Sequence, residues 1–523
     1  MSCNNPSSSA FVFICICGQI AFLLALTPAS AASQNEWLTW GYDQERTGWN
    51  QAETALDKEN VSQLQLLWKA QLSTIPKETV LSTLTAPLVA SVAGPRGPRT
   101  FVFVVGSDNT VYAIDSETGK VAWQKEFPNT LTPGTGATWL CSNTQNATPV
   151  IDKDAGIIYI STSDGKLRGL SIKDGEERLP PTDFTTPFAR NWSLNLVDGV
   201  IYSSAGRGCG GAFAHLTALD LRDPGRRRVE FYTSTGRPAG AWGRGGLVRG
   251  PKGIYAQTAD GPYDPAAGAF GNTVLALNSR DFHLLDSYTP ANWEYLNDKD
   301  LDLGSASPVV FPFQKWTLLA SAAKESAIDL LDAGNLGGSD HHTPLYHSPR
   351  WGNDEVLLAG RGLWGAMATW QDAQGRRWLL MPLWGPPSKD APKFQYSYGD
   401  ADRGSVMAFE VRLDPDRNKP ALFPIWMSRD MHVPDPPVVA NGVVYALQTG
   451  ENTTQGRGAT AKFRSTPITN AVLYALDAET GRELYSSDKL IDSWTHFSEP
   501  VVAGGKIYVS TWDGRLYAFG LKN

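Results

Sequence analysis

Cysteine, histidine and methionine are scarce in this 523-residue chain, at 5, 7 and 6 residues, and each scarcity removes a class of chemistry. No Cys-x-x-Cys-His occurs, which excludes covalent attachment of a c-type haem to this chain. No Gly-x-Ser-x-Gly is present, and His341, His342 and His347 lack the helical spacing of a zinc site. Charge of one sign is also missing. The 46 Lys and Arg are mixed with 53 Asp and Glu, the net charge is −7, and Arg226-Arg227-Arg228 is too short for a nucleic-acid patch. Apolar spacing of helical period is rare, and no apolar run after residue 26 is long enough to span a bilayer.

The first 32 residues carry no charged side chain. Residues 10–26 form an apolar run, followed by Ala29-Ser30-Ala31-Ala32, which has the small-residue pattern of a signal cleavage site without the usual positive start. Export to the periplasm or outside is expected, with cleavage near Ala31 or Ala32 leaving one domain, 33–523. An uncleaved anchor is the alternative. Cys3, Cys15 and Cys17 leave with the signal. Cys141 and Cys209 then remain, either as one disulfide or as two separate buried thiols.

Turn formers and aromatics are plentiful: 50 Gly, 34 Pro, 18 Trp, 17 Tyr and 20 Phe. Residues 106–123, GSDNTVYAIDSETGKVAW, give two short strands around a turn in which Asp115 can cap backbone N–H groups and Gly119 can take positive φ. Trp123 is too large for a lone hairpin to bury, so the unit needs neighbours. It recurs at residues 472–485 and, truncated, at 511–519. The cognate positions Ala113, Gly169, Ala218, Ala276, Leu330, Ala408, Ala475 and Ala518 mark eight units, 43 to 78 residues apart. That spacing suits a four-stranded blade with loops, and it is too irregular for a solenoid. Pro87, Pro149, Pro308, Pro437 and Pro500 each precede an apolar run, where a strand can begin without its first donor. The last unit lacks an outer strand, and residues 64–72 are a strand lacking a unit. The expectation is an all-β, eight-bladed β-propeller of four-stranded antiparallel blades, closed by pairing the N-terminal strand with the C-terminal blade. Residues 36–50, EWLTWGYDQERTGWN, show no period.

The pattern Ala113-x-Asp115-x-x-Thr118-Gly119-x-x-x-Trp123 resembles the tryptophan-docking repeat of the pyrroloquinoline quinone (PQQ) dehydrogenase propellers. The resemblance implies a quinone near the ring axis, stacked on a floor tryptophan, with Ca²⁺ or a lanthanide polarising its carbonyl and an aspartate as base. Trp242, in Ala-Gly-Ala-Trp-Gly at 239–243, matches the floor. Lys324, ahead of Asp329-Leu330-Leu331-Asp332, matches the quinone-contacting lysine, where an ammonium favours negative charge on a reduced quinone. Asp260 occupies the metal-ligand asparagine position and is a candidate ligand or base. Asp264 is the nearest carboxylate to the expected base, because residues 268–273 before Val274 contain no acid.

Other positions depart from the family. Cys209 stands at the metal-ligand glutamate, Leu140-Cys141 replaces the adjacent cysteine pair of the roof, and Asn146 replaces the arginine after it. The resemblance brings Cys141 and Cys209 together, implying a bridge that replaces the roof disulfide and takes part of the metal pocket. Asp298, Asp300 and Asp302 alternate like a Ca²⁺ loop but lack its glycine and glutamate, and a polar inter-blade turn is preferred. Two functions follow. One is an exported quinoprotein-like oxidoreductase, taking a small alcohol or polyol and passing electrons to a separate acceptor. The other is a non-catalytic propeller that binds a protein or polymer through its funnel or through the insertions at 385–404 and 449–470.

Overall fold

The computed structural model describes residues 35–522 apart from 96, 207, 237 and 455–459. The expected export segment, 1–32, lies outside the described residues. Among these, no helix is long and apolar enough to cross a membrane.

Eight antiparallel blades follow one another along the chain. Leu88–Val92, Arg99–Val105, Val111–Asp115 and Val121–Lys125 make the first. The eight repeat markers each lie on the third strand of a blade. Each of the five prolines immediately precedes an innermost strand. Gln65–Gln71 pairs antiparallel with Arg515–Gly520 and completes the eighth blade as its fourth, outermost strand.

Successive blades are joined by tryptophan. Trp68, Trp123 and Trp426, on outer strands, donate their indole N–H to Ser116 O, Ile172 O and Ala478 O of the next blade at 2.9, 3.3 and 3.0 Å. Each ring lies on a turn glycine. A Cβ at Gly119, Gly175 or Gly481 would fall 2.7, 2.7 or 2.6 Å from the indole, and all three have φ between 68° and 76°. Glycine is required there by both sterics and backbone.

The aperiodic stretch has a role of its own. Residues 37–50 make one circuit of the innermost strands and bond to all eight blades in chain order. Trp37 exchanges two bonds with Val89, and Leu38 O accepts from Ile151 N. Gln44 Nε2 donates to Leu196 O, and Gln44 O and Glu45 O accept from Arg249 N and Val310 N. Thr47 O and Gly48 O accept from Thr369 N and Val439 N, and Asn50 Nδ2 donates to Val502 O. The innermost strands would otherwise turn unpaired N–H and C=O groups toward the axis. Arg46 is the hub. Fully buried, it donates to Gly245 O, Leu194 O, Trp40 O and Thr39 Oγ1 at 2.7–2.9 Å, and burial lowers its guanidinium pKa to about 9.

Candidate functional site

Trp242 enters the site from a tight segment ahead of the fourth blade. Ala239, with φ of 64°, donates its N–H to Asp260 O at 2.7 Å, and Trp242 N donates to Gly304 O at 3.3 Å. A Cβ on Gly243 would lie 2.2 Å from the Ala306 carbonyl carbon, so only glycine allows this approach. The indole of Trp242 donates to Asp302 Oδ2 at 2.6 Å. Lys324, two residues beyond the strand Trp316–Ala322, points its buried ammonium into the same place. It pairs with Asp302 and, at 3.3 Å, with Asp300, and lies 5.3 and 4.9 Å from the ring centres of Trp242 and Trp364. Asp302 therefore holds the indole and the ammonium together.

Three carboxylates converge here. Asp260, Asp300 and Asp302 each offer an oxygen, and the three oxygens lie within 4.8 Å of one another. Such a set of charged oxygens suits a hard cation such as Ca²⁺ or a lanthanide. Asp300 is delivered by a left-handed residue, φ 55°, that ends the helix Trp293–Lys299, while Asp298 stays on that helix and pairs with Lys299. The preferred sequence reading, a polar inter-blade turn, thus fails: Asp298 is helical, and Asp300 and Asp302 join Asp260. Asp264 is placed elsewhere: it is exposed and caps the short turn Pro265–Ala267 by accepting from Ala267 N at 3.2 Å. It is not one of the converging acids.

Around this centre lie stacked rings. Trp364 and Trp384 stack at 5.0 Å, Trp364 meets Trp242 edge-on at 5.4 Å, and Trp192 lies 6.4 Å beyond Trp242 with Phe497 behind it. Cys141 and Cys209 form the expected disulfide, with Cα atoms 5.3 Å apart. Cys209 begins a tight turn, Cys209–Gly211, where a Cβ on Gly210 would collide with Pro187 O at 2.2 Å. A sulfur so engaged offers a hard cation nothing.

An ion cluster escaped the sequence reading. Arg244 is buried and pairs with Asp435 at 2.5 Å and Glu499 at 2.8 Å. Trp40 donates to Glu499 at 2.7 Å. Burial, with Glu499 and Glu451 nearby and only Arg244 opposing, raises the Asp435 carboxyl to about 7. These partners are up to 459 residues apart in the chain, and no local pattern announces them.

The sequence profile of the family described as outer membrane protein assembly factor BamB matches residues 58–239. No curated protein matches the chain by sequence. Among solved structures, the quinohemoprotein alcohol dehydrogenase from Comamonas testosteroni superposes with a TM-score of 0.60 at 15% identity, covering 94% of this chain and 81% of that one. A europium-containing methanol dehydrogenase gives 0.61 at 14%, covering 93% and 98%. At such identities the likeness establishes the fold. The chain shares the fold of these proteins, and its own sheets make that fold an eight-bladed propeller.

Proposed function

We propose that this protein is an exported quinoprotein-like oxidoreductase, acting on a small alcohol or polyol and handing electrons to a separate acceptor. The observation that carries the reading is the bonded unit of Trp242, Asp302 and Lys324, with Asp260 and Asp300 beside it. The carboxylates fit a hard cation by donor type. For the quinone, Trp242 supplies aromatic surface and Lys324 a cation, but the indole is only 8% exposed, so Trp192 or Phe497 must shift aside to admit a flat ring. A bound PQQ would supply the two-electron acceptor, and the cation a Lewis acid. The chain's own part is then clear. Trp242 supports the ring face, and Lys324 stabilises negative charge on its oxygens. Asp302 fixes both groups, and Asp260 and Asp300 hold the cation or take a proton from the alcohol.

A second reading, a non-catalytic scaffold for a protein or polymer, is supported by the closed indole face and by the match of residues 58–239. Reconstitution with PQQ, with and without Ca²⁺ or La³⁺, separates the two. The oxidoreductase reading expects metal-dependent retention of quinone absorbance, lost in Trp242→Ala and Asp302→Asn. If wild type retains no quinone under any of these conditions, the scaffold reading takes its place.

A further inference from the structure

The insertion between the strands Val443–Gln448 and Val472–Asp477 contains a single-turn helix, Ala461–Arg464. Its last residue turns inward. The Arg464 guanidinium lies 4.4 Å from the ring centre of Trp139, two residues before the bridged Cys141. The stacked pair Trp494 and Trp512, 4.5 Å apart, forms further walls of the same slot, and His496 lines it too. Behind these lies Glu451, fully buried, which binds His496 Nδ1 and stands 3.9 Å from Arg464 Nη2.

Arg464 fills this box poorly. Nη1 donates to Asn452 O, but Nε has no hydrogen-bond partner, and neither does Glu451 Oε1. A guanidinium taken out of water needs its donors satisfied, and two buried polar atoms left single are a standing penalty. What holds the side chain is the quality of the box for a cation: the face of Trp139, whose quadrupole attracts positive charge, in front of a carboxylate. Burial alone would raise the Glu451 carboxyl, yet His496, Arg464 and Arg244 outweigh it and keep the group below its ordinary range. Burial lowers His496 in turn, against the opposing pull of Glu451.

We propose that this box is a binding site for an organic cation, an ammonium or guanidinium group, and that Arg464 is its internal occupant, displaced when the ligand enters. The site shares no residue with the Trp242 centre, although His496 stacks on Phe497 at 3.8 Å. Because Arg464 competes for the box, apparent affinity in the wild type falls by the fraction of molecules in which the box is open.

The test uses the whole chain, with methylguanidinium as probe, methylurea as its neutral isostere, and tryptophan fluorescence as readout. Wild type is expected to show weak saturable quenching by methylguanidinium and none by methylurea. Arg464→Ala is expected to bind methylguanidinium at least tenfold more tightly, and adding Glu451→Gln to reverse that gain. If the alanine variant does not fold, Arg464→Met, which keeps the apolar stem, replaces it. A wild type without saturable response beside a responding variant makes Arg464 a fixed structural residue and overturns the proposal. Equal responses to methylguanidinium and methylurea overturn it as well.

Discussion

Replacing Gly119 by alanine tests how the ring is held at its seam. Gly119 has φ of 68°, and a Cβ there would meet Trp68 at 2.7 Å. Trp68 lies on Gln65–Gln71, the strand that closes the eighth blade, and its indole bonds Ser116 O in the first. Two costs are involved. A left-handed non-glycine residue costs about 1–2 kcal/mol. Displacing the indole loses its hydrogen bond, about 1 kcal/mol, and about 1–2 kcal/mol of aromatic packing. The sum is about 3–5 kcal/mol. Gly156 provides the control: its φ is 66°, but a Cβ there meets nothing within 4 Å. Gly156→Ala should therefore show only the first cost, about 1–2 kcal/mol. Urea unfolding of both variants, followed by circular dichroism, measures the difference. In a Trp68→Ala background, Gly119→Ala should fall to the Gly156→Ala value. Equal losses for the two glycines in the wild-type background would refute interlocking by tryptophan docking.

Two further outcomes follow from the same structure. Replacing Cys141 and Cys209 by serine releases a loop with a sequence separation of 68, and the chain-entropy relation puts the loss at about 4 kcal/mol. An unchanged urea midpoint under non-reducing conditions would mean the bridge constrains nothing. Asp43 is half-buried, and desolvation raises its carboxyl to about 6, against the pull of the Thr47 hydroxyl and N–H. Between the unfolded value near 4 and this folded value, the native state binds the extra proton, so this group's contribution favours folding increasingly as pH falls from 7 to 4. Asp43→Asn should be stabilised relative to wild type at pH 7 by more than at pH 4, as read from paired thermal melts.

The blades were legible because their code is local. Asp115 accepts from the N–H groups of Glu117 and Thr118, the glycine that follows takes positive φ, and the small residue before Asp115 sits on the third strand. Each feature lies within one hairpin, and its partial recurrence along the chain announces the repeat. Closure was legible too, since an unpaired strand at one end matched a missing one at the other. Residues 37–50 were opaque for the opposite reason. Their partners are eight strands spread over the whole chain, so the segment follows the curvature of the ring and no local period.

The candidate site divides along the same line. Trp242 and Lys324 stood out only through the resemblance to the PQQ dehydrogenase propellers, whose floor tryptophan and quinone-contacting lysine they match. Asp300 and Asp302 looked like turn residues, because the lysine and indole that give them a role are contributed by other blades, up to 60 residues away. The sequence by itself determined the propeller, its blade number and its closure, all consequences of hairpin chemistry and pairing of edges. Only the tertiary structure decided which acids meet, that Asp264 stays outside, that Arg244 and Arg464 are buried, and that residues 37–50 line the ring. Those outcomes depend on burial and on Coulombic contact between distant segments, which exist only once the ring has closed.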